Sequence, residues 1–114
     1  MPFVSELPKD VLEEAAEERL HMVGTLMKGF QEAFQEAQEH DEDVHEKSLS
    51  GGWRRLTPEI KNQVLTLGKE ALGFYKQGKH LFMYRHYVDS VEAMGIAERK
   101  LQLGMGILGG LYRD

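Results

Sequence analysis

Apolar residues keep to one side of a helix through the first third of the chain. Leu12, Ala16, Leu20, Val23, Met27, Phe30, Phe34 and Ala37 follow one another at steps of 4, 4, 3, 4, 3, 4 and 3. That stripe is close to the 3.5-residue period of a coiled-coil seam. Glu13, Glu14, Glu17, Lys28, Gln31, Glu32, Gln35 and Gln38 occupy the opposite side. Pro8 suits a first helical turn, where a missing N–H costs nothing, and Ser5 or Asp10 can cap it. The pattern predicts a helix over about 8–39, roughly 45 Å long at about 1.5 Å per residue.

Residues 40–56 break this pattern. His40-Asp41-Glu42-Asp43-Val44-His45-Glu46 is densely charged and Ser48-Leu49-Ser50-Gly51-Gly52 is loop chemistry, so the stretch reads as one long connection. Trp53 and Leu56 are expected to fold back onto the helices. Thr57-Pro58-Glu59 is the clearest helix start, with a capping Thr, Pro at the first helical position and an acid at the positive end of the helix dipole. Ile60, Val64, Leu67, Ala71, Phe74 or Tyr75, and Leu81 or Phe82 follow at helical spacing, predicting a helix over about 58–83. Gly68, Gly73 and Gly78 lie inside it, each costing up to about 1 kcal/mol against Ala; close approach of another helix is the expected return.

A third stripe, Tyr87, Val91, Met94, Ala97, Leu101, Met105 and Leu108, predicts a helix over about 86–108. No Gly or Pro separates it from the second. A turn near Tyr84–His86 and a single helix from 58 to about 104, about 70 Å long, are both open at this point. The fold class is all-α: a three-helix antiparallel bundle with a long first helix and a helical hairpin, which pairing with a second copy can complete.

Composition narrows the reading. The chain has 114 residues, enough for one domain, with 41% apolar and 29% charged residues. A chain of this size buries only about two-thirds of its unfolded surface, so helix pairing with another copy is favourable. A net charge of −5 argues against a nucleic-acid partner. The absence of cysteine excludes disulfides, thiolate chemistry and Cys-type zinc sites. The first residues carry no signal-peptide pattern, and no apolar run approaches the ~20 residues of a bilayer span. A cytoplasmic protein with no membrane contact is expected.

Residues 71–104 carry a family pattern: Ala71, Phe74-Tyr75, Gly78-Lys79-His80-Leu81-Phe82, Tyr87-Val88-Asp89-Ser90, Ala93, Ile96-Ala97-Glu98 and Leu101. The arrangement resembles a family of small archaeal helical proteins known as domain of unknown function 357. Its members join an aromatic-rich helix to a second helix through a tight turn. The resemblance implies a compact three-helix fold and no activity. Such a turn favours Gly or Asp, whereas this chain has Tyr84-Arg85-His86. The same spacing also overlaps tetratricopeptide-like hairpins, of which this chain holds a single unit.

Three clusters are candidates for chemistry. Glu18 with His21, and Glu42 with His45, are Glu-x-x-His pairs, whose i and i+3 positions share a helix face and can converge on a divalent metal. Ferritin-like di-iron bundles use two such pairs with two further carboxylates, for which Glu92 and Glu98 are available; His86 and Asp89 form a third pair. Against this, Glu18 falls outside the apolar stripe, and a solvated acidic surface explains the pairs equally. Glu13-Glu14-Ala15-Ala16-Glu17 matches the Mg²⁺-holding signature of helical nucleotide pyrophosphatases, but the second acidic cluster of those enzymes is missing from the later helices. Lys76, Lys79, His80, Arg85 and His86 interleave with Tyr75, Phe82, Tyr84 and Tyr87, a stacking-plus-phosphate pattern for single-stranded nucleic acid; the simpler account is core aromatics with a basic rim.

Finally, the apolar, Gly-rich C-terminus supplies interface candidates: Leu103, Met105, Ile107, Leu108, Leu111 and Tyr112. The expectation is a helical-bundle protein that binds another protein, above all itself, without catalysis and with no cofactor. A carboxylate–histidine metal bundle is the alternative, and a nucleic-acid-binding protein the second alternative.

Overall fold

A long first helix sets the axis along which everything else is placed. The computed structural model describes residues 8–47 and 53–112. They form α1 (Lys9–Lys47), α2 (Pro58–Met83) and α3 (Tyr87–Gly109), a three-helix all-α bundle. At about 1.5 Å per residue α1 is about 58 Å long, matching the 58 Å long dimension of a body 26 Å by 18 Å in section.

The expected end of the first helix near 39 is corrected, and with it the expected loop over 40–56: α1 continues through His40–Lys47. Residues 40–47 contain neither Gly nor Pro, and dense charge on an exposed helix end does not oppose helical backbone. Both remaining helices open and close within a residue of their expected bounds. Thr57 caps α2 through its Oγ1, which accepts from the backbone N of Ile60 at 3.2 Å, and Pro58 stands in the first turn. Ser5 lies outside the described residues, and at the start of α1 the carbonyl of Pro8 accepts from the N of Leu12 at 3.0 Å.

The chain does turn at Tyr84–His86, so the single long helix is excluded. The backbone N of His86 donates to the carbonyl of Leu81 at 2.8 Å, and that of Arg85 to Phe82 at 3.0 Å. This pair of bonds is the Schellman closure, whose residue after the cap takes left-handed backbone. Arg85 occupies that position with φ 66°, where Gly is usual.

α3 is the central element. It packs against both other helices more extensively than α1 and α2 pack against each other. Consequently it buries residues around much of its circumference, including Met94, Ala97, Leu101 and Leu108. Ala16 of α1 shares a small cluster with Tyr87 at the start of α3, while His40 of α1 reaches Tyr112 beyond its end, so α1 and α3 run in the same direction and α2 opposes both.

The predicted stripe on α1 divides in two. Ala16, Val23, Phe30 and Ala37, each seven residues apart, are buried. The alternating Leu20, Met27 and Phe34 are only partly covered. At the centre, the Phe30 ring lies between two glycines: a Cβ placed on Gly68 of α2 would stand 2.8 Å from Phe30 Cε1, and one on Gly104 of α3 would collide with Cε2. Gly78 plays the same part for Met94, 2.7 Å from such a Cβ, and its carbonyl accepts from the buried hydroxyl of Ser90 at 2.7 Å. Gly73 faces open space, so close approach accounts for two of the three α2 glycines.

Candidate functional site

The metal candidates are not assembled into a site. Glu18 and His21 are both exposed on α1, Glu42 is exposed five residues before its end, and the side chain of His45 lies outside the described residues. Glu98 is engaged in an ion pair with Arg19, and Glu92 is exposed. Among the described residues no three His, Asp or Glu side chains are grouped so as to hold an ion. Glu13, Glu14 and Glu17 are likewise exposed on α1.

The basic–aromatic cluster separates into three environments. Tyr87 is buried and Phe82 partly buried against it, with ring centroids 5.5 Å apart. His80 and Tyr84 pack against each other at 4.9 Å beside the exposed turn that carries Arg85 and His86. Tyr75, Lys76 and Lys79 instead face α1 across a groove. No continuous stacking platform results.

The interface candidates also divide. Leu108 and Leu111 are buried in the chain's own core, and are corrected to core residues: the last turn of α3 folds against α1 and α2, leaving them nothing to offer a partner. Met105 and Ile107 pack partly on the same core. Tyr112, half exposed, is held from inside the chain. It forms an antiparallel bridge with Trp53, and its ring lies 4.9 Å from that of Trp53 and 5.8 Å from that of His40. Leu103 is the most exposed of the six, at 61%, about two turns before the end of α3.

One polar node missed by sequence reasoning ties this end together. Asp41 Oδ1 accepts from Trp53 Nε1 at 2.9 Å, Arg55 Nε at 2.8 Å and the backbone N of Leu56 at 2.8 Å, and Oδ2 accepts from Arg55 Nη2 at 3.2 Å. The Arg55 guanidinium, followed by the Trp53 and Leu56 donors, holds the Asp41 carboxyl far below the ordinary carboxylate range, against the opposing effect of its burial. In turn the carboxylate raises the pKa of Arg55. The node fixes the chain entering α2 onto the C-terminal part of α1. Its partners are 12 to 15 residues away in sequence, beyond any helical periodicity, so no spacing rule could have found it.

Two surface features remain without a covering element among the described residues. The first is a trough of about 830 Å³ between α1 and α2, opened because these helices barely meet. Leu20, Met27, Leu72 and the Tyr75 ring supply its apolar surface, and Lys28, Lys76 and Lys79 stand along it, with Glu17 at one end. Its floor closes where Tyr75 Oη lies 3.0 Å from the position of a Cβ on Gly24. The second is the Leu103–Ile107 ridge. Leu103 and Ile107 separate a hollow of about 510 Å³ shared with Glu59, Leu67 and Glu70 of α2 from one of about 590 Å³ beside Arg99 and Gly106. A Cβ on Gly106 would meet nothing within 4 Å.

No helix among the described residues is long and apolar enough to cross a membrane. Comparison with protein families, curated proteins and solved structures finds no match to this chain; the resemblance of residues 71–104 to the archaeal helical family therefore stands on residue spacing alone.

Proposed function

We propose that this protein is a non-catalytic helical module that assembles with a second copy of itself through the Leu103–Ile107 ridge of α3. The observation that carries this reading is a large aliphatic side chain, Leu103, 61% exposed between two hollows. A knob beside a hole is self-complementary under a two-fold axis, because each copy fills the other's hollow with the same residue.

The α2/α3 face is about 35 Å long and about 20 Å wide, on the order of 700 Å² per copy. That approaches the roughly 800 Å² per partner of a standard stable interface.

Light scattering and sedimentation over a wide concentration range test the reading. The wild-type chain is expected to dimerise, and Leu103→Lys to be monomeric with unchanged helical content. A strict monomer at high concentration, or a dimer indifferent to Leu103→Lys, contradicts it.

A further inference from the structure

The trough between α1 and α2 is a different surface from the α3 ridge. Part of the α1 stripe opens into it. Val23 and Phe30 are buried, but Leu20 and Met27, which alternate with them, line the trough. From α2, Leu72 reaches the same surface and is 40% exposed. With the Tyr75 ring, four apolar groups line a channel whose walls are two helices, the setting into which a further helix packs by inserting its own apolar stripe. The α1 residues lining it run from Glu17 to Gln31, about 21 Å at about 1.5 Å per residue, or about four turns of helix.

The rim specifies the charge of such a helix. The chain carries a net charge of −5, yet three lysines border this trough against one glutamate. Among the described residues, Lys28, Lys76 and Lys79 take part in none of the ion pairs, which join Arg19 to Glu98, Arg55 to Asp41 and Lys100 to Glu70. Lys79 rests over the Tyr75 ring, its Nζ 5.5 Å from the centroid. Flanking positions of a packed helix pair by opposite charge, so these lysines favour Glu and Asp on the incoming helix and oppose a basic one. Nucleic acid fits poorly: the lining offers two rings, Tyr75 and His21, among aliphatic and charged side chains, and a stacking platform needs several.

We infer that the α1/α2 trough is a docking site for an acidic amphipathic helix of another protein, about four turns long, which lays its apolar stripe on Leu20, Met27 and Leu72 and sets carboxylates against Lys28, Lys76 and Lys79. The bound helix completes a four-helix bundle in which α3 and the newcomer lie on opposite sides of the α1/α2 pair.

The experiment uses the full chain and fluorescently labelled two-heptad peptides with Leu at the core positions and Glu at the flanking ones. The control peptides carry Lys in place of Glu, or the Glu sequence in shuffled order. Anisotropy titration is expected to show the Glu peptide binding at least about tenfold more tightly than either control, with affinity falling as salt rises. The double variant Lys76→Glu/Lys79→Glu, whose sites are exposed, is expected to keep its helical content and reverse the preference toward the Lys peptide. Leu72→Asp is expected to weaken both. Equal binding of the shuffled peptide, or an unreversed preference in the double variant, overturns the inference. Self-association lost in the double variant but retained in Leu103→Lys also overturns it, because the trough then belongs to a second copy; loss in Leu103→Lys alone bears on the α3 interface and leaves the trough standing.

Discussion

Phe30 on α1 packs its ring edge onto Gly104 on α3, closely enough that no side-chain carbon fits at residue 104. The same ring meets Gly68 of α2 on its other edge. One aromatic side chain is thereby the point where all three helices touch, and two glycines make room for it. Gly104→Ala is expected to destabilise the protein although Ala is the better helix former. Overpacking costs about 1–3 kcal/mol, more than the roughly 1 kcal/mol that Ala gains in a helix. Urea denaturation measures the balance. Phe30→Leu should restore part of the loss in the Gly104→Ala background, since residues in contact do not act additively; simple additivity of the two substitutions contradicts the contact.

Gly73→Ala should act in the opposite sense. A Cβ there meets nothing within 4 Å, so the helix-propensity gain of up to about 1 kcal/mol stands unopposed. A rise in the thermal midpoint of a few degrees is expected. A fall would mean that this exposed face of α2 is covered in solution.

Arg85→Gly is expected to stabilise the α2–α3 turn by about 1 kcal/mol. Arg85 holds φ 66°, a left-handed conformation that Gly adopts without a Cβ penalty. Arg85→Ala is the control, because it removes the side chain and keeps the penalty. Equal stability of the Gly and Ala variants would show that the backbone there carries no appreciable strain.

Acid should loosen the Asp41 node. Its carboxyl has a pKa far below the ordinary value, so its stabilising contribution is complete above the unfolded value of about 3.9 and is lost as pH falls below it toward the folded one. Asp41→Asn removes this dependence and is expected to flatten the acid limb of the stability profile. Asp41→Ala, which leaves the Trp53 and Leu56 donors unpaired, should cost about 1–3 kcal/mol. Arg55→Ala should cost less than Asp41→Ala, because that side chain is 49% exposed. Trp53 is the single tryptophan, so its fluorescence reports the node directly; emission unchanged by Asp41→Asn and by acid would sink the assignment.

Much of this architecture was legible from the residues. The stripe from Leu12 to Ala37, the Thr57-Pro58 start and the α3 pattern from Tyr87 to Leu108 each appear where periodicity and capping chemistry place them, because these are local properties that a few adjacent residues decide. The end of α1 was not legible, since charged residues suit an exposed helix and a loop alike. The turn at Arg85 was placed by the two helix patterns but not decided by them, since its Schellman bonds close without the glycine that marks such turns. Exposed Leu103 and buried Leu108 read alike in the same Gly-rich run.

The residues alone determined that amphipathic helices form and which side of each is apolar. Only the tertiary structure decided which neighbour covers each part of that side. Leu20 and Met27 belong to the same stripe as Val23 and Phe30, and nothing in their spacing sets them apart. Phe30 faces Gly104 of α3 and Gly68 of α2, whereas Leu20 and Met27 lie along the trough between α1 and α2, which meet less extensively than either meets α3. Burial depends on the element standing opposite, and that is settled by long-range packing rather than by the period of one helix.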